Sequence, residues 1–193
     1  MTGAVHPRVA EVARLLADSG SPGQVRVLPA DVRTAAAAAA ALDVPVGAIV
    51  NSLVFAVGDG DQAEPLLVLT SGAHRVDEVT VAGLLGVPRL RRAAPDFVRE
   101  HTGHAIGGVA PIGHPEPIGT LVDIELARYE RVWAAAGHPS AVFPTTYDEL
   151  LRLTAGTAAE VGAGPSDPGA VTVGGAPIAD GGGAAVVPEA VGQ

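Results

Sequence analysis

The sequence predicts an α+β fold, a mixed, largely antiparallel sheet or partly closed barrel with helices inserted between strands. Three observations predict it. Helical and strand signals alternate along residues 1–161. The apolar, β-branched runs 52–57 and 66–70 flank Gly58-Asp59-Gly60-Asp61, as in an antiparallel pair with a loose turn, and no internal repeat is visible.

Each element has its own signal. Val9, Val12, Ala13 and Leu16 fall at i, i+3, i+4 and i+7, which predicts an amphipathic helix ending near Gly20; residues 25–28 then read as a short strand. Thr34 is the predicted N-cap of the alanine run 35–41, where helix propensity stands in for amphipathicity, and Pro45 lies beyond its end. Asp77 caps a helix over 78–85 that Gly86 stops, and 89–92 reads as an edge strand. Pro95 opens a further short helix carrying Phe97, Val98 and His101 and ending at Gly103. Residues 120–124, 132–136 and 141–143 read as strands and 147–153 as a helix. From Gly162 the chain is rich in Gly, Pro and Ala and poor in large apolar groups. The expected organisation is one domain over 1–161 and a disordered tail over 162–193, because such a composition cannot offset its ordering entropy by burial.

Composition excludes several chemistries. The formal charge of -9 argues against coating duplex DNA, which needs clustered cations, but leaves room for contact with an RNA end. All 12 basic residues are arginine, so a lysine nucleophile or Schiff base is excluded, and the absence of Cys excludes thiolate catalysis, disulfides and Cys-ligated zinc. His101, His104 and His114 lack a carboxylate at a familiar metal spacing, so neither metal nor cofactor is expected. The start of the chain is interrupted by His6, Arg8 and Glu11 and no apolar run is long enough to span a membrane, so a cytoplasmic protein with no membrane partner is expected.

The most informative stretch is Gly107-Gly108-Val109-Ala110-Pro111-Ile112-Gly113, between a predicted helix and a predicted strand. Glycines let backbone approach a ligand closely, and Pro111 fixes its own φ and restricts Ala110, so amide donors can be held in place for an oxyanion. The amides of Gly108 and Val109 are the predicted donors. Ser52 has no evident His and Asp partners, which disfavours a covalent triad and leaves positioned water or a substrate hydroxyl as nucleophile.

Four segments occur in a telling order: the helix from Thr34, Asn51-Ser52-Leu53-Val54-Phe55, Thr70-Ser71-Gly72-Ala73-His74-Arg75-Val76-Asp77, and the glycine loop. Leu121-Val122-Asp123, Val132 to Pro139 and Ala141-Val142-Phe143 continue the series. This order resembles the YbaK/ProX family of aminoacyl-tRNA deacylases, the domain inserted as an editing module in many bacterial prolyl-tRNA synthetases, over about residues 6–161. The resemblance implies a hydrolase that removes a wrong small amino acid such as Ala, Cys or Ser from tRNA(Pro) or a related tRNA, with the tRNA acceptor end, and an aminoacyl-tRNA synthetase, as partners. It implies that Gly107, Gly108 and Val109 act with Asn51 in catalysis. Ser52, Phe55, Thr70, Ser71, Ala110, Pro111, Gly113, Asp123 and His138 would bind substrate, with Leu53, Val54 and Phe55 as the pocket floor and His138 at the substrate amino group; Asp123 reads as a structural hydrogen-bonding residue next to the pocket rather than a general base. The family commonly carries lysine where this chain has Asn51, a neutral amide in place of a cation. Three readings follow: a deacylase in which Asn51 orients the ester, one in which an arginine replaces the lysine, and a module that binds an aminoacyl ligand without hydrolysing it.

Overall fold

The computed structural model describes residues 6–30, 32 and 34–162; the expected tail beyond Gly162 lies outside the described residues. At its centre β2 (Val50–Val57) and β3 (Glu64–Ser71) pair antiparallel over eight residues each, from Val50 opposite Ser71 to Val57 opposite Glu64. β4 (Leu90–Arg92) adds antiparallel to the outer edge of β2. On the other side β5 (Gly119–Asp123) and β8 (Thr157–Ala159) add in parallel, giving the order β4-β2-β3-β5-β8. A parallel neighbour requires a long crossover, and the chain from Ser71 to Gly119 supplies it through α3 (Glu78–Leu85), β4 and α4 (Pro95–Thr102). β3 is buried on both faces from Leu67 onward. This explains its continuous apolar run rather than alternation.

A second, antiparallel sheet is formed by β1 (Arg26–Val27), β7 (Ala141–Thr145) and β6 (Val132–Ala135), in that order. Among the described residues the one backbone bridge between the sheets joins Ile49 to Trp133, and side chains of both share the main core, so the architecture is two joined sheets and not a closed barrel. α1 (Pro7–Asp18) buries Val9, Val12 and Leu16 in the main core with Val54, Leu67, Leu69, Phe143 and Leu150. α3 covers the other face of the large sheet with Val81 and Ala82 against Phe55 and Val68. α2 (Ala35–Leu42) packs Ala38 and Ala39 on Ile49, Trp133 and Val142.

The predicted caps form as the side-chain chemistry demands. Thr34 Oγ1 accepts from the Ala37 amide, and Asp77 Oδ1 accepts from Val79 and Thr80. Thr146 caps α5 (Tyr147–Thr154) through the Glu149 amide. Each such cap is worth about 1 kcal/mol.

Three features depart from expectation. β8 was not anticipated, since Thr157, Ala158 and Ala159 carry little apolar bulk; parallel pairing with β5 orders them. Ile124 is not a strand residue but starts a 3-10 turn, Ile124–Arg128, because Asp123 Oδ1 accepts the Glu125 amide and caps it. Gly162 belongs to the folded part: it bridges to Val76, and the neighbouring Val161 carbonyl accepts the Asp77 amide.

Candidate active site

The loop after α4 is built by backbone bonding. Gly103 takes φ +72° and ends the helix, a conformation that favours glycine. A turn over 105–108 closes with the Gly108 amide donating to the Ala105 carbonyl at 2.9 Å, and Gly107, its third residue, has φ +85°. That is the left-handed position a type II turn assigns to glycine. Gly108 meets a different constraint: a Cβ there would lie 2.7 Å from the His138 carbonyl carbon and 2.8 Å from the Pro139 nitrogen. Val109 and Ala110 then enter the main core, which anchors the loop.

Between this loop, the first half of β2 and α2 runs a cleft of two adjoining cavities, about 180 and 250 Å³. Ser52, Leu53, Ile106, Gly107 and Val109 line both. The larger adds Asn51, Ala35, Ala38, Trp133 and Pro139; the smaller adds Val54, Phe55, Arg92 and Val98. The structure therefore brings Asn51, Ser52, Phe55, Gly107 and Val109 together around one cleft.

Several polar groups of the residues that line this cleft are unengaged. Ser52 Oγ is buried with no hydrogen-bond partner among the described residues, as is Trp133 Nε1. The Asn51 carboxamide also has no partner among them, and neither does the Val109 amide. A buried polar group without a partner costs about 1–3 kcal/mol, and three residues that line the cleft carry such a group: the Ser52 hydroxyl, the Trp133 indole N–H and the Val109 amide. Of the two amides predicted as donors, that of Gly108 is occupied by the Ala105 carbonyl, and that of Val109 has no partner among the described residues. Among the described residues lining the cleft, Arg92 is the only charged one, and its Nε lies 3.3 Å from Glu78 Oε1.

Other predicted site residues stand elsewhere. Thr70, Ser71 and Asp123 are buried and line neither cavity. Asp123 Oδ2 accepts from Thr70 Oγ1 at 2.9 Å, from the Ser71 amide at 3.0 Å and from His74 Nδ1 at 3.0 Å, while Oδ1 takes the Glu125 amide. A carboxylate only accepts, so His74 Nδ1 carries its proton. Ser71 Oγ donates to the Gly47 carbonyl. Gly113 packs beside Leu15 of α1, in a separate recess. Ala110 and Pro111 are buried behind the cleft. His138 lies in a recess with His6, Arg8 and Arg99; its Nδ1 accepts from the Ser140 amide, and its ring sits 4.9 Å from that of His6. Its backbone, not its ring, meets the cleft loop, through Gly108.

Ile106, Trp133, Pro139, Ala35 and Ala38 line the cleft without having been singled out as site residues. Alanines in a propensity-driven helix and a tryptophan on a strand look structural in sequence, and only the approach of α2 and β6 to β2 gives them a second role.

The two-sheet fold and this cleft define an aminoacyl-tRNA editing domain. The model of the aminoacyl-tRNA editing domain family matches residues 29–153, and the chain belongs to that family. The chain is 32% identical over 117 residues to the uncharacterized protein YwhH of Bacillus subtilis (strain 168), a match covering 61% of this chain and 72% of that one. It is 32% identical over 89 residues to the proline-tRNA ligase of Stenotrophomonas maltophilia (strain R551-3), covering 46% of this chain and 16% of the ligase. A crystal structure described as that of a proposed trans-editing enzyme for prolyl tRNA synthetase superimposes with a TM-score of 0.76 and 42% identity, over 83% of this chain and 100% of that one. Among the described residues no helix is long and apolar enough to cross a membrane.

Proposed function

We propose that the chain hydrolyses the ester of a mischarged tRNA in trans, removing a small amino acid such as Ala, Cys or Ser from tRNA(Pro) or a related tRNA. The observation that carries this reading is the convergence of the unpartnered Ser52 hydroxyl and the unpartnered Val109 amide on the cleft that Asn51 also lines. The likeness to a structure described as that of a proposed trans-editing enzyme for prolyl tRNA synthetase supports the choice of substrate.

In this mechanism the Val109 N–H takes the charge that develops on the ester carbonyl oxygen. One preorganised donor of this kind supplies about 2.7–4 kcal/mol. Ser52 Oγ and the Asn51 carboxamide orient the ester and the attacking water. Water adds to the carbonyl carbon, the tetrahedral intermediate collapses, and the bond to the ribose oxygen breaks as that oxygen takes up the proton. No carboxylate, imidazole or amine lines the cleft among the described residues, so the neighbouring ribose hydroxyl relays that proton while water remains the nucleophile. The apolar walls select by size, which is coarse: a methylene is worth about 1–3 kcal/mol. Small residues that a synthetase rejects poorly suit such a second sieve.

A panel of Ala-tRNA(Pro), Cys-tRNA(Pro) and Ser-tRNA tests this. The native protein should deacylate one class selectively, and Ser52→Ala should lower the rate about 10- to 100-fold while leaving the protein as stable or up to about 1 kcal/mol more so, since it deletes a buried hydroxyl that has no partner. Loss of rate in proportion to loss of stability would remove Ser52 from the mechanism. The neutral Asn51, with Arg92 set opposite Phe55 farther along β2 and 3.3 Å from Glu78, favours one second reading, a module that holds the aminoacyl group without hydrolysing it. Turnover absent from the native chain and created by Asn51→Lys would establish that reading.

A further inference from the structure

We infer that His104 and His114 are positioning residues that grip the Ala110 peptide from both sides and thereby hold the Val109 amide in register with the cleft. The Ala110 amide donates to His104 Nδ1 at 3.4 Å, and the Ala110 carbonyl lies 2.8 Å from His114 Nε2. A carbonyl only accepts, so His114 Nε2 carries a proton; His104 Nδ1 accepts, so its proton sits on Nε2. The two rings meet edge to face with centroids 5.9 Å apart. His104 is 1% exposed and its backbone amide is tied to Thr102 Oγ1, so the acceptor is rigidly mounted.

The geometry of the loop explains what the grip achieves. The Val109 amide shares a peptide plane with the Gly108 carbonyl, and the Gly108 amide is fixed by Ala105. The next plane, carrying the Ala110 amide, is fixed by His104, and the one after it, carrying the Ala110 carbonyl, by His114. Pro111 then has no N–H of its own and a locked φ. The plane before the one that carries the Val109 N–H and the two planes after it thus each have an anchor, while the Val109 N–H itself has none among the described residues. A donor that is bracketed and unengaged is what preorganised stabilisation of charge requires.

The device works only with neutral His104, because a proton on Nδ1 removes its lone pair. Burial first, then the charges of His114 and Arg8, opposed by Glu11, push the His104 pKa down to about 4, and burial also lowers that of His114. Arg8 and Glu11 face the ring from α1; Arg99 of α4 and His6 and His138 line the same recess. Since the folded value lies below the usual 6.5, the unfolded chain takes up this proton first as pH falls, and the folded grip opens only as pH approaches 4.

The grip is tested by Ala110 amide exchange and imidazole ¹⁵N shifts in the full chain, which need no substrate, and the positioning role by kcat and KM on the substrate hydrolysed under the function proposed above. Asn places an acceptor where Nδ1 stands and Gln places a donor where Nε2 stands. His104→Ala should lower Ala110 protection at pH 7 at least 10-fold, and kcat by a similar factor at nearly constant KM. His104→Asn should restore both, His114→Gln should keep both near native values, and protection in His104→Asn should no longer fall near pH 4. If native Ala110 exchanges freely, or if the ¹⁵N shifts put the His104 proton on Nδ1, the grip does not exist. If His104→Ala loses protection but keeps its kcat, the grip positions nothing. A native protein that hydrolyses no ester yet shows protected Ala110 and the expected tautomer would overturn the proposed function and leave the grip standing.

Discussion

Asp123→Ala should cost about 3–5 kcal/mol of folding stability, a large part of the 5–15 kcal/mol of an ordinary domain. The carboxylate is 1% exposed and takes hydrogen bonds from Thr70 Oγ1, the Ser71 amide, His74 Nδ1 and the Glu125 amide. Alanine leaves these donors facing a void, each costing about 1–3 kcal/mol where it stays dry. The donors come from the end of β3, the segment after it and the turn after β5, so their loss unties the ends of the central strands next to Asn51, whose cross-strand partner is Thr70. Asp123→Asn keeps one oxygen for three of the donors but turns an NH₂ toward the Glu125 amide, and should cost less, about 2 kcal/mol. Urea midpoints of the three proteins measure this ordering, and a shift for Asp123→Ala equivalent to less than about 1 kcal/mol would show that the cluster does not hold the fold. The same pair separates a structural from a substrate-binding Asp123: a folded Asp123→Asn protein should retain most of its deacylation rate.

That cluster also shows where sequence reading stops. Thr70, Ser71 and Asp123 are polar residues in segments carrying the family resemblance, and as letters they suit a substrate pocket as well as a buried network. Which they serve depends on the parallel pairing of β3 with β5, across a crossover of more than 40 residues. Local features were legible because their causes are local. The β2–β3 hairpin follows from two β-branched runs around a Gly-Asp turn, the caps at Thr34 and Asp77 from one side chain reaching two or three residues on, and the stops at Gly86 and Gly103 from φ values that favour glycine. The near wall of the cleft was legible for the same reason, since Asn51, Ser52, Gly107 and Val109 sit in two short motifs. Its far wall was not, because Ala35, Trp133 and Pro139 reach the cleft only through the docking of α2 and the second sheet. Hydrogen bonding within the loop was equally hidden: the sequence offers Gly108 and Val109 as equivalent donors, and only the turn over 105–108 occupies one and spares the other.

Gly108→Ala should remove at least about 100-fold of the deacylation rate, more than Gly107→Ala, although Gly107 is the residue with the unusual backbone. At Gly107 a Cβ meets nothing closer than the Pro139 side chain at 3.8 Å, so the substitution is charged only with the left-handed φ of +85°, about 1–2 kcal/mol. At Gly108 the added carbon would stand 2.7–2.8 Å from the His138 and Pro139 backbone, and backbone cannot swing aside as a side chain can. Either the 105–108 turn or the 138–139 segment must move, at about 1–3 kcal/mol of stability. The displacement falls on the residue directly before Val109, and under the proposed mechanism a donor moved by an ångström loses much of the about 2.7–4 kcal/mol it supplies, which is the 100-fold or more expected. The remote partner gives a control: His138→Ala removes the imidazole but leaves the backbone that Gly108 packs against, so it should keep the loop in place. If the ring contacts the substrate amino group, His138→Ala raises KM; if only the backbone matters, it matches the native enzyme while Gly108→Ala does not. Rates and urea midpoints for the three variants decide between them, and a Gly108→Ala protein with native kcat would show that chemistry does not pass through this loop.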